Sequence, residues 1–237
     1  MTKHLARRAL AEFVGSAILV TAIVGSGIAA TRLSPHDVGL QLLENSVATG
    51  AVLVALIVAL QPVSASFNPL VTVAERAFGA VGTGDAATLV AAQLTGGFLG
   101  VVLANAMYGL DAVSLSTKHR DAGGTSLAEV VATAGLLLVI FGTLRSRRPD
   151  RVAFAVGGYI VAAYWFTSST SFANPAVTVA RMFSDTFAGI APSSAARFVL
   201  MQLLGGALGF LLVRALYPDA GAAAASAVDE HPPLAAT

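Results

Sequence analysis

The chain has 237 residues and a net charge of +1. Its hydrophobic residues make up 56%, its charged residues only 11%, and it has no cysteine. Mean hydropathy is +0.77, against a charged fraction of roughly 25% in an average soluble domain. These values exclude a water-soluble globule and give no basic surface for nucleic acid. They also remove disulfides, thiolate catalysis and cysteine-held metal clusters.

Six apolar stretches read as membrane spans, at about 9–31, 41–61, 86–109, 126–145, 151–167 and 194–217. Crossing a hydrocarbon core of about 30 Å takes roughly 20 helical residues. The basic start, Met1 to Arg8, resembles a secretory leader. The apolar run behind it is longer than a usual leader core and contains Glu12, so it reads as the first span. Lys3, Arg7 and Arg8 precede this span, Arg145, Arg147, Arg148 and Arg151 crowd the fourth-to-fifth connection, and Arg214 lies near the end of the last span. Arg32, Lys118 and Arg120 fall on the other side. The bias places both termini in the cytoplasm. The Ala- and Pro-rich stretch 218–237 reads as a disordered cytoplasmic tail.

Between the second and third spans of each half lies a segment too short and too charged to cross: Pro69–Phe78, with Glu75 and Arg76, and Pro175–Phe183, with Arg181. Their surroundings repeat. Ser66-Phe-Asn-Pro-Leu-Val-Thr-Val-Ala74 aligns with Ser171-Phe-Ala-Asn-Pro-Ala-Val-Thr-Val-Ala180, the asparagines 106 residues apart. Leu10-Ala-Glu-Phe-Val-Gly-Ser16 aligns with Leu127-Ala-Glu-Val-Val-Ala-Thr133, and Gln93-Leu-Thr-Gly-Gly-Phe-Leu-Gly100 with Gln202-Leu-Leu-Gly-Gly-Ala-Leu-Gly209. Three spans per half make the second copy enter from the opposite side, an inverted repeat whose interrupted segments point to a transport site. The expected architecture is an all-α membrane protein with six transmembrane helices, two re-entrant half-helices and an inverted 3+3 repeat. It forms one domain over 1–217, with repeats at about 8–109 and 126–217.

Asn followed by Pro reads as a helix start, with Asn as cap and Pro at the first helical position. Asn68 and Asn174 then cap two short helices that meet near the midplane, each presenting a positive end of roughly half an elementary charge. Their amides are placed to donate to a passing solute, while the paired dipoles repel cations. Non-helical backbone at that depth requires burial or a wet cavity. Glu12 and Glu129 each fall in the first turn of a span, where a mid-bilayer charge would cost about 2.5–3.5 kcal/mol. Each is placed to accept the orphan backbone N–H groups of its own half's re-entrant loop. A proton relay is the alternative, but His4, His36, His119 and His231 all lie outside the spans. Gly96, Gly100, Gly205 and Gly209 form small-xxx-small pairs suited to close helix packing.

Asn68-Pro69-Leu70 and Asn174-Pro175-Ala176, each after a span, together with the two glutamates, resemble the major intrinsic protein family of aquaporins and glycerol facilitators over about residues 8–217. The resemblance implies two re-entrant half-helices, loop support by Glu12 and Glu129, and passive conduction without cofactor or metal. It also implies a homotetramer in the inner membrane with one pore per protomer. Family pores carry a four-residue selectivity filter, normally with Arg directly after the second motif; here that residue is Val177. Counting three and twelve residues back from Asn174 gives Ser171 and Ala162, and twenty back from Asn68 gives Ala48, the last two assuming no gaps. Such a filter is wide, uncharged and short of donors, unless Val177 repacks a rearranged mouth. Arg181, one turn beyond Val177, either supplies a displaced charge at the outer vestibule, or snorkels or pairs with Asp185.

The second motif, with Val in the arginine's place, is similar to bacterial members linked with arsenic resistance. The expected solutes are small and neutral: metalloid hydroxides such as arsenite, As(OH)3, and glycerol-like polyols. An ordinary water or glycerol channel and a secondary transporter are the other readings. An enzyme is the poorest, for want of a nucleophile–base pair.

Overall fold

Nine α-helices make up the computed structural model, which describes residues 1–145 and 148–229. Arg147 of the fourth-to-fifth connection, and residues 230–237 of the expected tail with His231, lie outside the described residues. The helices are α1 (Lys3–Leu33), α2 (Val38–Leu60), α3 (Pro69–Ala77), α4 (Thr83–Met107), α5 (Thr125–Arg145), α6 (Val152–Phe166), α7 (Pro175–Ala180), α8 (Pro192–Leu216) and α9 (Ala220–Asp229). Helices α1, α2, α4, α5 and α8 are long and apolar enough to cross a membrane. The apolar helix α6 has 15 residues, about 22 Å at ~1.5 Å per residue. The short helices α3 and α7 fall between the second and third spans of each half, as the interrupted segments require, and α7 continues into a 3-10 turn at Arg181–Phe183.

The repeat reappears as packing. Helix α1 lies along α4 and α5 along α8, in matching positions of the two halves. The approach is close because glycine allows it: a Cβ on Gly96 would stand 2.2 Å from the Phe13 carbonyl oxygen, and one on Gly205 2.5 Å from that of Val130. A contact not expected from the sequence joins α2 to α6, where a Cβ on Gly157 would stand 2.8 Å from the Gly50 carbonyl oxygen.

The expected disordered tail is corrected over 220–229, which form α9. Alanine has the highest helix propensity. Ala220 and Ala224, one turn apart, bury themselves against a cluster that includes Val71, Ala74, Leu137 and Phe141. The ion pair Arg145 Nε–Asp219 Oδ1, 3.1 Å, fixes the turn that leads into the helix.

Candidate functional site

The two half-helices meet through their caps. The Asn68 Oδ1 accepts from the Leu70 N–H at 3.0 Å, and the Asn174 Oδ1 accepts from the N–H groups of Ala176 at 2.9 Å and Val177 at 3.3 Å. The amide nitrogens then cross between repeats: Asn68 Nδ2 donates to the Ala173 carbonyl at 2.9 Å, and Asn174 Nδ2 to the Phe67 carbonyl at 2.7 Å. An amide carries two N–H donors. One from each asparagine braces the opposite repeat, and both residues line a cavity to which the second can point.

The residue before each asparagine is held in a left-handed conformation, Phe67 at φ 47° and Ala173 at φ 47°. Such strain costs about 1–3 kcal/mol for a non-glycine residue and needs surrounding support. Two carboxylates supply it. Glu12, fully buried, accepts from the N–H groups of Ser66 (2.9 Å) and Phe67 (2.7 Å) and from the Ser64 hydroxyl (2.6 Å). Glu129, also fully buried, accepts from the N–H groups of Phe172 and Ala173, both at 3.0 Å. Charge-assisted bonds of this kind are roughly twice as strong as neutral ones. Both glutamates thus reach the loop of their own half.

Two glutamines that bond these carboxylates, and a threonine bonded to each, were missed as site residues. Gln93 Nε2 donates to Glu12 (2.8 Å) and to Thr72 Oγ1 (2.9 Å). Gln202 Nε2 donates to Glu129 (2.6 Å) and to Thr178 Oγ1 (2.8 Å). Each glutamine ties a span to its half's glutamate and half-helix. All four stand inside the repeated segments, and buried polar groups recurring at matched positions were the signal.

The cavity has a volume of about 150 Å³. Arg8, Ser66 and Glu75 line the end where the C-terminus of α3 points; Asn68 and Asn174 lie in the middle. The other end is lined by Thr49, Tyr164, Ser171, Val177 and Arg181. Of the four expected filter positions, Ser171 and Val177 line this end of the cavity, and the other two are corrected. Ala48 is half-buried and Ala162 exposed on the outside, and neither lines the cavity. Thr49 and Tyr164 do, with Thr49 Oγ1 and Tyr164 Oη 3.2 Å apart. A helix turns about 100° per residue, so a slip of one or two in a gapless count moves the position to another face. This end is not bare: it carries two paired hydroxyls, while the Ser171 Oγ is sealed beneath the wall with no hydrogen-bond partner among the described residues.

Arg181 is buried, donates from Nε to the Ala188 carbonyl and lies with its guanidinium carbon 3.5 Å from the centre of the Phe172 ring. Among the described residues Arg181 forms no ion pair with Asp185, whose carboxylate accepts from the Thr117 N–H at 2.9 Å and from its hydroxyl at 3.2 Å. In the connection above, Lys118 Nζ donates to the Phe187 carbonyl at 2.6 Å, and Arg120 Nε to that of Gly189 at 3.0 Å. Burial, with the charges of Arg120 and Arg181 nearby, lowers the Lys118 ammonium to about 8.

Spanning helices, two half-helices meeting cap to cap and a cavity running past the caps define a multi-pass membrane channel. Residues 1–157 match the family described as Major intrinsic protein. The chain is 44% identical over 217 residues to Aquaglyceroporin AqpS of Rhizobium meliloti (strain 1021), covering 91% of this chain and 92% of that one. To Aquaporin A of Dictyostelium discoideum it is 33% identical over 177 residues, 69% of this chain and 63% of that one. The solved aquaglyceroporin from Plasmodium falciparum has the same fold, with a TM-score of 0.70 over 91% of this chain and 98% of that chain, at 20% identity. The chain belongs to the major intrinsic protein family.

Proposed function

We propose that the protein is a passive conduit for small neutral hydroxylated solutes, glycerol-like polyols and neutral metalloid hydroxides such as arsenite. The observation that carries this reading is the outer end of the cavity. There a solute hydroxyl meets the Thr49 and Tyr164 hydroxyls and the Arg181 guanidinium, beside Ser171 and opposite the apolar Val177. Aliphatic wall on one side and donors and acceptors on the other suit a molecule with a carbon or metalloid core and hydroxyls at its rim. Thr49, Tyr164, Ser171 and Val177 form the selectivity filter. Arg181 returns, one turn outward, the positive charge that Val177 lacks. Cation exclusion then rests on that charge and on the two half-helix dipoles. Glu12 and Glu129 support the loops without relaying protons.

The aquaglyceroporin named among the relatives supports the polyol part. The arsenite part rests on the second motif and on Val177. The Tyr164 ring, where the count placed an alanine, narrows the passage and favours a second reading, an ordinary water and glycerol channel. We place the working protein in the inner membrane as a homotetramer with both termini cytoplasmic.

Stopped-flow swelling of proteoliposomes under water, glycerol and arsenite gradients tests these readings. Wild type is expected to pass glycerol and arsenite with no ion gradient. Val177→Arg is expected to cut both about ten-fold or more, because its added bulk exceeds one extra methylene in a fitted passage, worth roughly 10–200-fold, while water persists. Saturable, proton-dependent uptake overturns the conduit; water flux without arsenite flux favours the second reading.

A further inference from the structure

The cavity end beside the chain termini contains a charged pair that the conduit reading does not use. Arg8, on the first turns of α1, is 7% exposed and lines the cavity. Among the described residues it makes no hydrogen bond and no ion pair within 4 Å. Its nitrogens keep some accessible surface rather than being sealed without a partner, and the residue lines the cavity. A guanidinium this deep, near enough to act on Glu75 by its charge but in no direct ion pair among the described residues, is costly unless water or a ligand meets its donors. Glu75, on α3, lines the same end half-buried. Its carboxylate accepts only from the Ser66 hydroxyl, at 3.0 and 3.2 Å, among the described residues. Four or so lone-pair sites on a carboxylate leave acceptor capacity facing the lumen. Glu12 is close enough to act on Glu75 by its charge, but its own oxygens are taken by the loop backbone, Ser64 and Gln93. Ala224 of α9 and Leu144 of α5 form apolar wall at this end.

We propose that Arg8 and Glu75 form a second solute station on the terminal side of the paired asparagines, where the guanidinium donates to and the carboxylate accepts from the hydroxyls of a neutral polyol or metalloid hydroxide. This rests on the conduit reading. A hydroxyl is both donor and acceptor, and a site with only one kind of group satisfies half of it. Arg8 and Glu75 supply one of each from two elements, and the shared lumen lets a solute leaving the asparagines exchange one set of hydrogen bonds for another before reaching bulk water.

The station is tested by the ratio of glycerol to water permeability in proteoliposomes, a ratio in which the number of folded channels cancels. Glu75→Leu and Arg8→Leu are each expected to lower it about five-fold, the worth of one net hydrogen bond. Glu75→Gln, which keeps an acceptor oxygen, is expected to stay within about two-fold of wild type. An unchanged ratio in both leucine variants overturns the station and leaves the conduit standing. A Glu75→Gln variant as impaired as Glu75→Leu also overturns it, because charge rather than hydrogen bonding would then be at work. If Glu75→Leu fails to assemble, Arg8→Leu decides by the same ratio. Wild type that passes no glycerol overturns the conduit reading, and the station with it.

Discussion

At Glu12 and Glu129 a charge inside a membrane protein is stabilised by a peptide loop with nowhere else to send its N–H groups. Replacing either by Gln keeps the size but turns one oxygen into an NH2 that faces donors. At Glu12 those donors are two backbone N–H groups, the Ser64 hydroxyl and the Gln93 amide. Leaving even one such group unsatisfied costs about 1–3 kcal/mol, and the left-handed residue before the asparagine loses its tether. Glu12→Gln and Glu129→Gln are each expected to lower the melting temperature in detergent and the solute flux per folded protein. A variant that melts and conducts as wild type does would remove the loop-support role. The caps and their glutamates were legible because Asn-Pro is a local signal and the repeat gave it twice. Thr49 and Tyr164 were not, because their place on the cavity wall depends on helix rotation and on the length of the 167–173 loop, neither of which a residue count measures.

Helices pair here through glycine. Helix α4 meets α1 where a Cβ on Gly100 would stand 2.4 Å from the Ala17 carbonyl oxygen and 3.0 Å from the Val20 Cβ. Lipid tails are as apolar as leucine, so van der Waals fit and backbone approach hold such a contact together. Gly100→Val is therefore expected to destabilise the fold by about 1–3 kcal/mol through overpacking, seen as a fall in detergent melting temperature. Gly84→Ala, in the first turn of the same helix with nothing within 4 Å of the new methyl, is expected to leave it unchanged or slightly raised. Equal melting of the two variants would show that the α1–α4 approach is not tight. The small-xxx-small spacing made this contact legible. The Gly50–Gly157 contact between α2 and α6 was hidden because it pairs single glycines from different helices. Helix α9 was hidden because its alanines read as tail composition, when one turn of them, Ala220 and Ala224, finds an apolar cleft between α3 and α5.

Across the whole molecule, the two halves share one bracing scheme and differ at their mouths. Glu12, Gln93 and Thr72 repeat as Glu129, Gln202 and Thr178, so the asparagines sit on a nearly symmetric frame. At the outer end, Lys118 and Arg120 are tied to the carbonyls of Phe187 and Gly189. At the terminal end, Lys3 and Arg7 are exposed. Orientation is set by basic residues near span ends, and the cations on the 108–124 connection serve as loop ties. The unbalanced positive charge therefore lies beside the termini, and on this rests the proposal that they are cytoplasmic. The absence of cysteine makes this directly measurable, since one introduced thiol is the only thiol. Leu115→Cys lies on the connection, where Leu115 is 62% exposed, and Ser226→Cys lies on an exposed position of α9. A membrane-impermeant maleimide added to intact cells is expected to label the first and not the second, and to label the second once the membrane is opened. Labelling of Ser226→Cys in intact cells with Leu115→Cys protected would invert the topology, and with it the assignment of Arg8 and Glu75 to the cytoplasmic mouth and of Arg181 to the outer one.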